Sequence, residues 1–483
     1  MTPPHIEAAT DIRAVPGGWL ATGTEVVVAH GRTDGAFLRH GWQSWSMVGW
    51  ERLADPPLRI LVPGLHRQAD DPATENEPGH VGSWVGAVSS DDGEGLLVGA
   101  VGPDARVYAD GLTVRGVAAG PVDWFIATGD VDVALEGYAR LLGERLGART
   151  PPPQTVWCTW YSQGRTLDAH RLDVLVDDVA GLPVGLFLVD DGWERSIGDW
   201  RPHDGFPEGM AAVAARIRVA GMRPGLWLAP LAVEAAEAAD WDGMLVVDDD
   251  GAPVLAGHNW DSTYFGVDVT HPEALARVVA SVTDAVDWGF THLKLDFLFA
   301  GAIPGRRHRD GPPEAAYRAG VEAIRAAVGD DVHLAACGAP IVPSVGVFDS
   351  IRVGPDVAPY WESPLYRHVL DYSAPGMRRA IATTLHRLWL APVIGVDPDV
   401  AFVRSRDNLL TESQMRLHRD LCHITGMPAT SDPPGWLSEE ELSRLVTFLD
   451  ARPTIERLDR YRFRLDDREV DYGDVVEGAF EGM

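Results

Sequence analysis

Lysine is almost missing from this chain: of its 41 basic residues only Lys294 is a lysine, and the other 40 are arginines. Positive charge is short overall, with 71 acidic residues leaving a formal net charge of −30. A surface this acidic repels phosphates, so nucleic acid and anionic lipid are excluded as natural partners. It reads as a solvating surface, with work in concentrated salt, where such charge is screened, as the second reading. Cysteine is scarce too. Cys158, Cys337 and Cys422 are far apart, which fits reduced thiols in a cytoplasm and neither a disulfide framework nor a zinc site. No run approaches the roughly 18 apolar residues of a membrane-crossing helix. No basic segment followed by an apolar stretch opens the sequence, so the expected location is the cytoplasm.

What is present is enough apolar residue, 46% of 483, for sizeable cores and for two or three domains. Residues 1–147 read as β-structure. Short apolar alternations such as Thr24-Glu25-Val26-Val27-Val28 lie between Gly, Pro and Asp clusters, the pattern of a β-sandwich. Pro151-Pro152-Pro153 punctuates the chain, and the rhythm then changes. Strand-like runs are expected at 155–161, 185–189, 224–228, 292–296, 333–337, 350–354, 388–393 and near 424–430. Amphipathic stretches alternate with them at 169–179, 210–220, 272–286, 313–328 and 377–386. Eight strands with intervening helices predict a (β/α)8 TIM barrel over 148–433. A doubly wound sheet is the alternative, although no Gly-rich nucleotide fingerprint follows any strand. Residues 434–483 form a short C-terminal tail, with one helix over 438–449 and a strand or two within 464–473.

In such a barrel the catalytic face is where strands end, so strand-end residues carry the chemistry. Those are Asp190-Asp191-Gly192-Trp193, Trp227, Lys294-Leu295-Asp296-Phe297, Cys337-Gly338, Arg352 and Gly354-Pro355-Asp356. Carboxylates grip sugar hydroxyls and flat rings stack on sugar faces. Asp296 and Asp356 follow different strands and can oppose each other. A retaining glycosidase needs two carboxyls about 5–5.5 Å apart, one to attack and one to deliver the proton. Lys294 lies two residues before Asp296, on the same strand face, where its charge would hold Asp296 ionised. On its own this constellation fits a catalytic and a merely solvated reading equally.

The motifs add a resemblance. Trp160-Tyr161, Asp190-Asp191-Gly192-Trp193, Gly198-Asp199-Trp200, Phe206-Pro207-Glu208-Gly209, Gly225-Leu226-Trp227 with Pro230, Lys294-Leu295-Asp296-Phe297, Cys337-Gly338-Ala339-Pro340 and Asp397-Pro398-Asp399 occur in that order. The series resembles glycoside hydrolase family 36, the α-galactosidases of clan D, in its short-chain branch. His40-Gly41-Trp42-Gln43-Ser44-Trp45-Ser46 is similar to a motif of that family's N-terminal β-domain. The resemblance covers residues from about 40 to about 430.

It implies a retaining exo-hydrolase of terminal α-galactosyl groups, needing no metal or organic cofactor. Asp296 would be the nucleophile and Asp356 the acid/base. Asp190 and Asp191 would hold O4 and O6, and Lys294 the O3 and O4 side. Trp227 and Trp193 would wall the sugar, Cys337, Gly338 and Arg352 would lie near O2, and Trp45 would overhang the pocket. The chain departs from many members, which carry Ser-Asp-Asn around the acid/base and Trp-x-x-Pro-Glu after the third strand; here Pro230 precedes Leu231. The family's large C-terminal β-domain is nearly absent, which leaves a homo-oligomer open. An α-N-acetylgalactosaminidase, a galactosyltransferase of the raffinose-synthase kind and a non-catalytic sugar-binding protein are the rival readings. His292, His203, Asp204, Asp397 and Asp399 are expected to be structural or solvated, and 306–309 an internal ion-pair group.

Overall fold

A computed structural model describes residues 4–32, 34–58, 71–74, 77–90, 93–362 and 373–477. In the N-terminal region ten strands join one antiparallel hydrogen-bonded sheet. Its spine is the pairing of Gly18–Ala29 with Thr113–Asp130, with a register shift between Val117 and Val122. Leu20, Val26, Val28, Trp124 and Phe125 are buried along it; consecutive Trp124 and Phe125 point to opposite faces, so both faces of the sheet are covered there.

The region does not stay β-structure to residue 147. Asp130 caps a helix, Val131–Leu146, by accepting from Val133 N at 3.0 Å. Val131, Ala134, Leu135, Tyr138, Ala139 and Leu142 form its buried face, a helical period that outweighs the β-like content of Val131-Asp132-Val133. Tyr138 lies flat against the sheet at Gly99, where a Cβ would come within 2.7 Å of its ring. Its hydroxyl donates to Ala100 O at 2.6 Å.

The second region is built on eight parallel strands: β1 (Val156–Cys158), β2 (Leu186–Val189), β3 (Arg223–Leu228), β4 (His292–Leu295), β5 (His333–Ala336), β6 (Ser350–Arg352), β7 (Gly395–Asp397) and β8 (Ala429–Thr430). Each pairs in parallel with its successor from β1 to β7, and β8 pairs with β1. The chain just beyond β7 reaches β8 through the parallel bridge Ala401↔Thr430. The sheet therefore curls round in the order of a TIM barrel. Seven strands fall within or beside the expected segments. The seventh does not. Residues Leu388–Leu390 make a single 3-10 turn prolonging helix Met377–Arg387. Trp389 packs at 5.5 Å from the Tyr138 ring, so this apolar run covers the junction between regions, and β7 begins at Gly395.

One carboxylate ties the two regions together. Glu314, at the start of helix Pro313–Val328, is 1% exposed. It accepts from Trp42 Nε1 at 2.9 Å, Trp84 Nε1 at 2.8 Å and Arg106 Nη2 at 2.7 Å, all from the N-terminal sheet region. In return Asp104 accepts from Glu314 N at 3.0 Å and Ala315 N at 2.9 Å, capping that helix from outside. Arg306 makes an ion pair, 3.9 Å to Asp249, but it is exposed and not the expected internal group; Arg307 is held by carbonyls instead. The two side chains donate chiefly to backbone carbonyls of Asp248, Asp249, Gly301 and Ile303.

The tail is more structured than one helix and two strands. After helix Glu439–Asp450, strands Ile455–Arg457, Arg462–Leu465 and Arg468–Asp471 form an antiparallel sheet. Arg468 grips Asp420 of helix Glu412–Thr425 with two bonds, 2.9 and 2.6 Å. Among the described residues no helix is long and apolar enough to cross a membrane.

Candidate active site

The strand ends of β2, β3 and β4 assemble one half of the site. Asp190 is placed by Thr159 Oγ1, which accepts its N–H at 2.9 Å. Its Oδ2 receives Lys294 Nζ at 2.9 Å and the Cys158 thiol at 3.4 Å. Burial lowers the Lys294 pKa, but Asp190 and Asp296 raise it and prevail, so the ammonium titrates well above an ordinary lysine. The same Nζ stands 3.8 Å from Asp296 Oδ2. That oxygen also accepts from Trp227 Nε1 at 3.0 Å, while Oδ1 accepts from Phe297 N at 2.8 Å. Phe297 achieves this with a left-handed backbone, φ +52°, which is uncommon for a non-glycine residue. Two N–H donors and one cation thus face the Asp296 carboxylate.

Asp191 points to different partners. Arg165 Nε donates to it at 3.0 Å and Trp260 Nε1 at 2.8 Å. Burial, then the nearby Glu194 charge, push its carboxyl up to about 8 against those two donors. Trp260 sits at the tip of the hairpin Leu255–Asn259 and Ser262–Gly266 with φ +54°. Its ring lies 4.7 Å from that of Phe297.

The other half comes from β6 and β7. Arg352 Nη2 donates to Asp356 Oδ1 at 2.8 Å and also to Asp399 Oδ2. Tyr161 donates its hydroxyl to the same Asp399 oxygen. Asp356 is the open member, its side chain 37% exposed against 9% for Asp296. Cys337, at the end of β5, feels both halves. Burial, then Asp296, push its thiol well above the ordinary range; Asp356 adds to this while Lys294 and Arg352 oppose it.

The N-terminal region reaches in through Trp45. Its ring packs at 5.0 Å from Phe297, and a Cβ at Gly338 (φ +53°) would stand 3.0 Å from it. Gly338 is therefore a close-approach position. Arg387, fully buried, anchors this loop by donating to the carbonyls of Gly41, Gln43 and Ser44 and to Val353 O beside Arg352.

The fold thus brings Asp190, Asp191, Trp227, Lys294, Asp296, Cys337, Gly338, Arg352, Asp356 and Trp45 to one end of the parallel sheet. Trp193 differs from expectation. It has no exposed surface, and its Nε1 donates to Trp227 O at 2.9 Å; it braces the Trp227 backbone rather than walling a sugar. His292 stacks on His333 at 4.3 Å inside the sheet. His203 Nε2 lies 3.1 Å from the carbonyl oxygens of Leu167 and Gly192. Sequence reasoning missed Arg165, Tyr161 as a partner of Arg352, Trp260 and the position of Asp399. The only signal for Trp260 was an aromatic residue in a polar turn. Among the described residues no cluster of His, Cys, Asp or Glu could hold a metal ion.

Known proteins share this fold. The Melibiase family model matches residues 153–287. The α-galactosidase TtGalA from Thermus thermophilus, solved with p-nitrophenyl α-D-galactopyranoside, is 41% identical, with a TM-score of 0.92 over 97% of each chain. The same enzyme solved with stachyose superposes with a TM-score of 0.87, covering 92% of this chain and 96% of that one. The family 36 α-galactosidase AgaA from Geobacillus stearothermophilus shares the fold at 15% identity and a TM-score of 0.61, with 63% of its length covered. α-Galactosidase 1 of Pediococcus pentosaceus is 32% identical over 79 residues, a match spanning 11% of that protein. With near-complete coverage at 41% identity, the chain belongs to glycoside hydrolase family 36, the family of the α-galactosidases.

Proposed function

We propose that this glycoside hydrolase removes terminal α-D-galactosyl groups from oligosaccharides and galactosides by double displacement with retained configuration. The observation that carries the mechanism is the environment of Asp296: a buried carboxylate bonded by Trp227 Nε1 and Phe297 N, with the Lys294 ammonium 3.8 Å away. Galactose is supported by the relative at 41% identity, solved with an aryl α-galactoside and with stachyose. In the first step Asp296 attacks the anomeric carbon as the glycosidic C–O bond breaks and Asp356 protonates the departing oxygen. In the second, Asp356 takes a proton from water, whose oxygen displaces Asp296 and releases the sugar.

Asp190 and Asp191 serve as acceptors for the O4 and O6 hydroxyls, Lys294 as donor on the O3 and O4 side, and Trp227 as the wall. Cys337, Gly338 and Arg352 border O2, and Trp45 overhangs. The domain division that goes with this reading is an N-terminal β-domain at 1–147, built on the antiparallel sheet and closed by helix Val131–Leu146, a complete (β/α)8 barrel at 148–433 and a small C-terminal region at 434–483. It is supported by the cyclic strand order and the Ala401↔Thr430 bridge.

The test is nitrophenol release from α-galactoside, β-galactoside, α-glucoside and α-N-acetylgalactosaminide at low and molar salt. Proton NMR of the first-formed sugar reads its configuration. Turnover of the α-galactoside with α-galactose appearing first is expected. β-Galactose appearing first would overturn the double displacement, and preference for the acetamido sugar would overturn the substrate.

A further inference from the structure

The Arg352–Asp356 pair has a third member that the mechanism above leaves idle. Asp399 follows β7, is 4% exposed, and holds a left-handed backbone at φ +77°. Such a conformation costs a non-glycine residue energy and persists only where its surroundings dictate it. Here they do. Asp397 Oδ1 accepts the Asp399 N–H at 2.8 Å, and Asp399 Oδ1 accepts from Val400 N at 2.7 Å. Its Oδ2 collects Tyr161 OH, Arg352 Nη2 and, at 2.9 Å, the N–H of Val357. Val357 is the residue after Asp356, so one carboxylate oxygen fixes both the cation beside Asp356 and the backbone that carries it.

We propose that Asp399 is the positioning residue of the acid/base. It orients Arg352 and the Asp356–Val357 segment, and its charge offsets the Arg352 guanidinium so that the proton needed for the first step stays on Asp356. The inference rests on the reading of Asp356 as acid/base.

The groups facing Asp399 support the charge argument. Besides Arg352, Asp356 and Asp397 they are Tyr161 from the turn after β1, Cys158 from β1, and Cys422 and His418 from helix Glu412–Thr425. Burial pushes the tyrosine and both thiols well up and the His418 imidazole down to about 4, so none of these carries charge near neutral pH. The balance is left to one guanidinium and the carboxylates. Burial pushes Asp399 itself up to about 7, with Arg352 opposing and Asp356 adding, so its charge develops as the pH rises through that value. An uncharged residue at 399 leaves Arg352 facing Asp356 alone, and an adjacent uncompensated cation favours the ionised carboxylate by about one pH unit or more.

The experiment is the pH profile of kcat/KM on stachyose, whose leaving group needs the proton, for the wild type, Asp399→Asn, Tyr161→Phe and Asp356→Ala. Asparagine tolerates the left-handed backbone, and thermal unfolding checks that the fold survives. Asp399→Asn is expected to move the alkaline limb to lower pH by about one unit or more, with kcat falling more than KM changes. Tyr161→Phe removes a donor to Asp399, weakening its anion, and is expected to move the limb the same way by less. If Asp399→Asn folds and its limb coincides with that of the wild type, the inference is overturned; if it does not fold, an unmoved limb in Tyr161→Phe overturns it. An alkaline limb that survives in Asp356→Ala would instead reject the acid/base reading itself, so the two failures are distinguishable.

Discussion

The two halves of the site are built to opposite specifications. On the β2–β4 side, Asp296 has every accessible oxygen engaged and a side chain 9% exposed. On the β6–β7 side, Asp356 is 37% exposed and tethered through Arg352. A nucleophile must present one oxygen at a fixed distance from carbon, and rigidity there lowers the barrier. An acid/base must exchange its proton with the leaving group and then with water, so it needs access. The contrast is what the proposed roles require, with the rigid carboxylate attacking and the open one transferring the proton.

The comparison is broken most severely by Asp296→Asn, which keeps shape and removes the nucleophile. Turnover should fall by roughly 10⁴-fold or more while the unfolding temperature stays close to that of the wild type; near-normal activity would end the assignment. Asp356→Ala should cost roughly 10²–10⁴-fold on stachyose and much less on p-nitrophenyl galactoside, whose leaving group departs without help. Equal losses on both substrates would mean that Asp356 does something other than protonate. Lys294→Arg retains charge but replaces a compact ammonium with a longer planar fork. Displacing Asp190 and Asp296 by even 1 Å should cost about a hundredfold, and unchanged kinetics would reduce the lone lysine to coincidence. The smallest effect sharpens the picture. Trp260→Phe keeps the ring against Phe297 but deletes the bond to Asp191, worth about 1 kcal/mol. It should raise KM by several-fold and leave kcat nearly unchanged; a kcat collapse would move Trp260 into the chemistry.

Much of the barrel was legible because a buried parallel strand is a short apolar run and its covering helix has a 3.6-residue period. The helices at 169–179 and 313–328 match residue for residue. The failures were local. Residues 388–393 are as apolar as a strand, yet they pack on helix Val131–Leu146, and a run's composition does not say which neighbour it meets. That helix was readable, since Asp130 precedes a clean i, i+3, i+4 pattern, but the surrounding strands drew the reading toward β-structure.

The sequence by itself determined the order of motifs, the alternation that makes a parallel sheet, and the two aspartates at strand ends. Those follow from side-chain periodicity and the geometry of one strand, both local properties. Only the tertiary structure decided that Trp193 braces Trp227 instead of facing a sugar, that Trp260 arrives at Asp191 from a hairpin 69 residues away, and that Asp399 shares Arg352 with Asp356. Hydrogen bonds and charge pairs act over a few ångströms of space. Which residues come that close is set by how the sheet curls, and no local pattern records it.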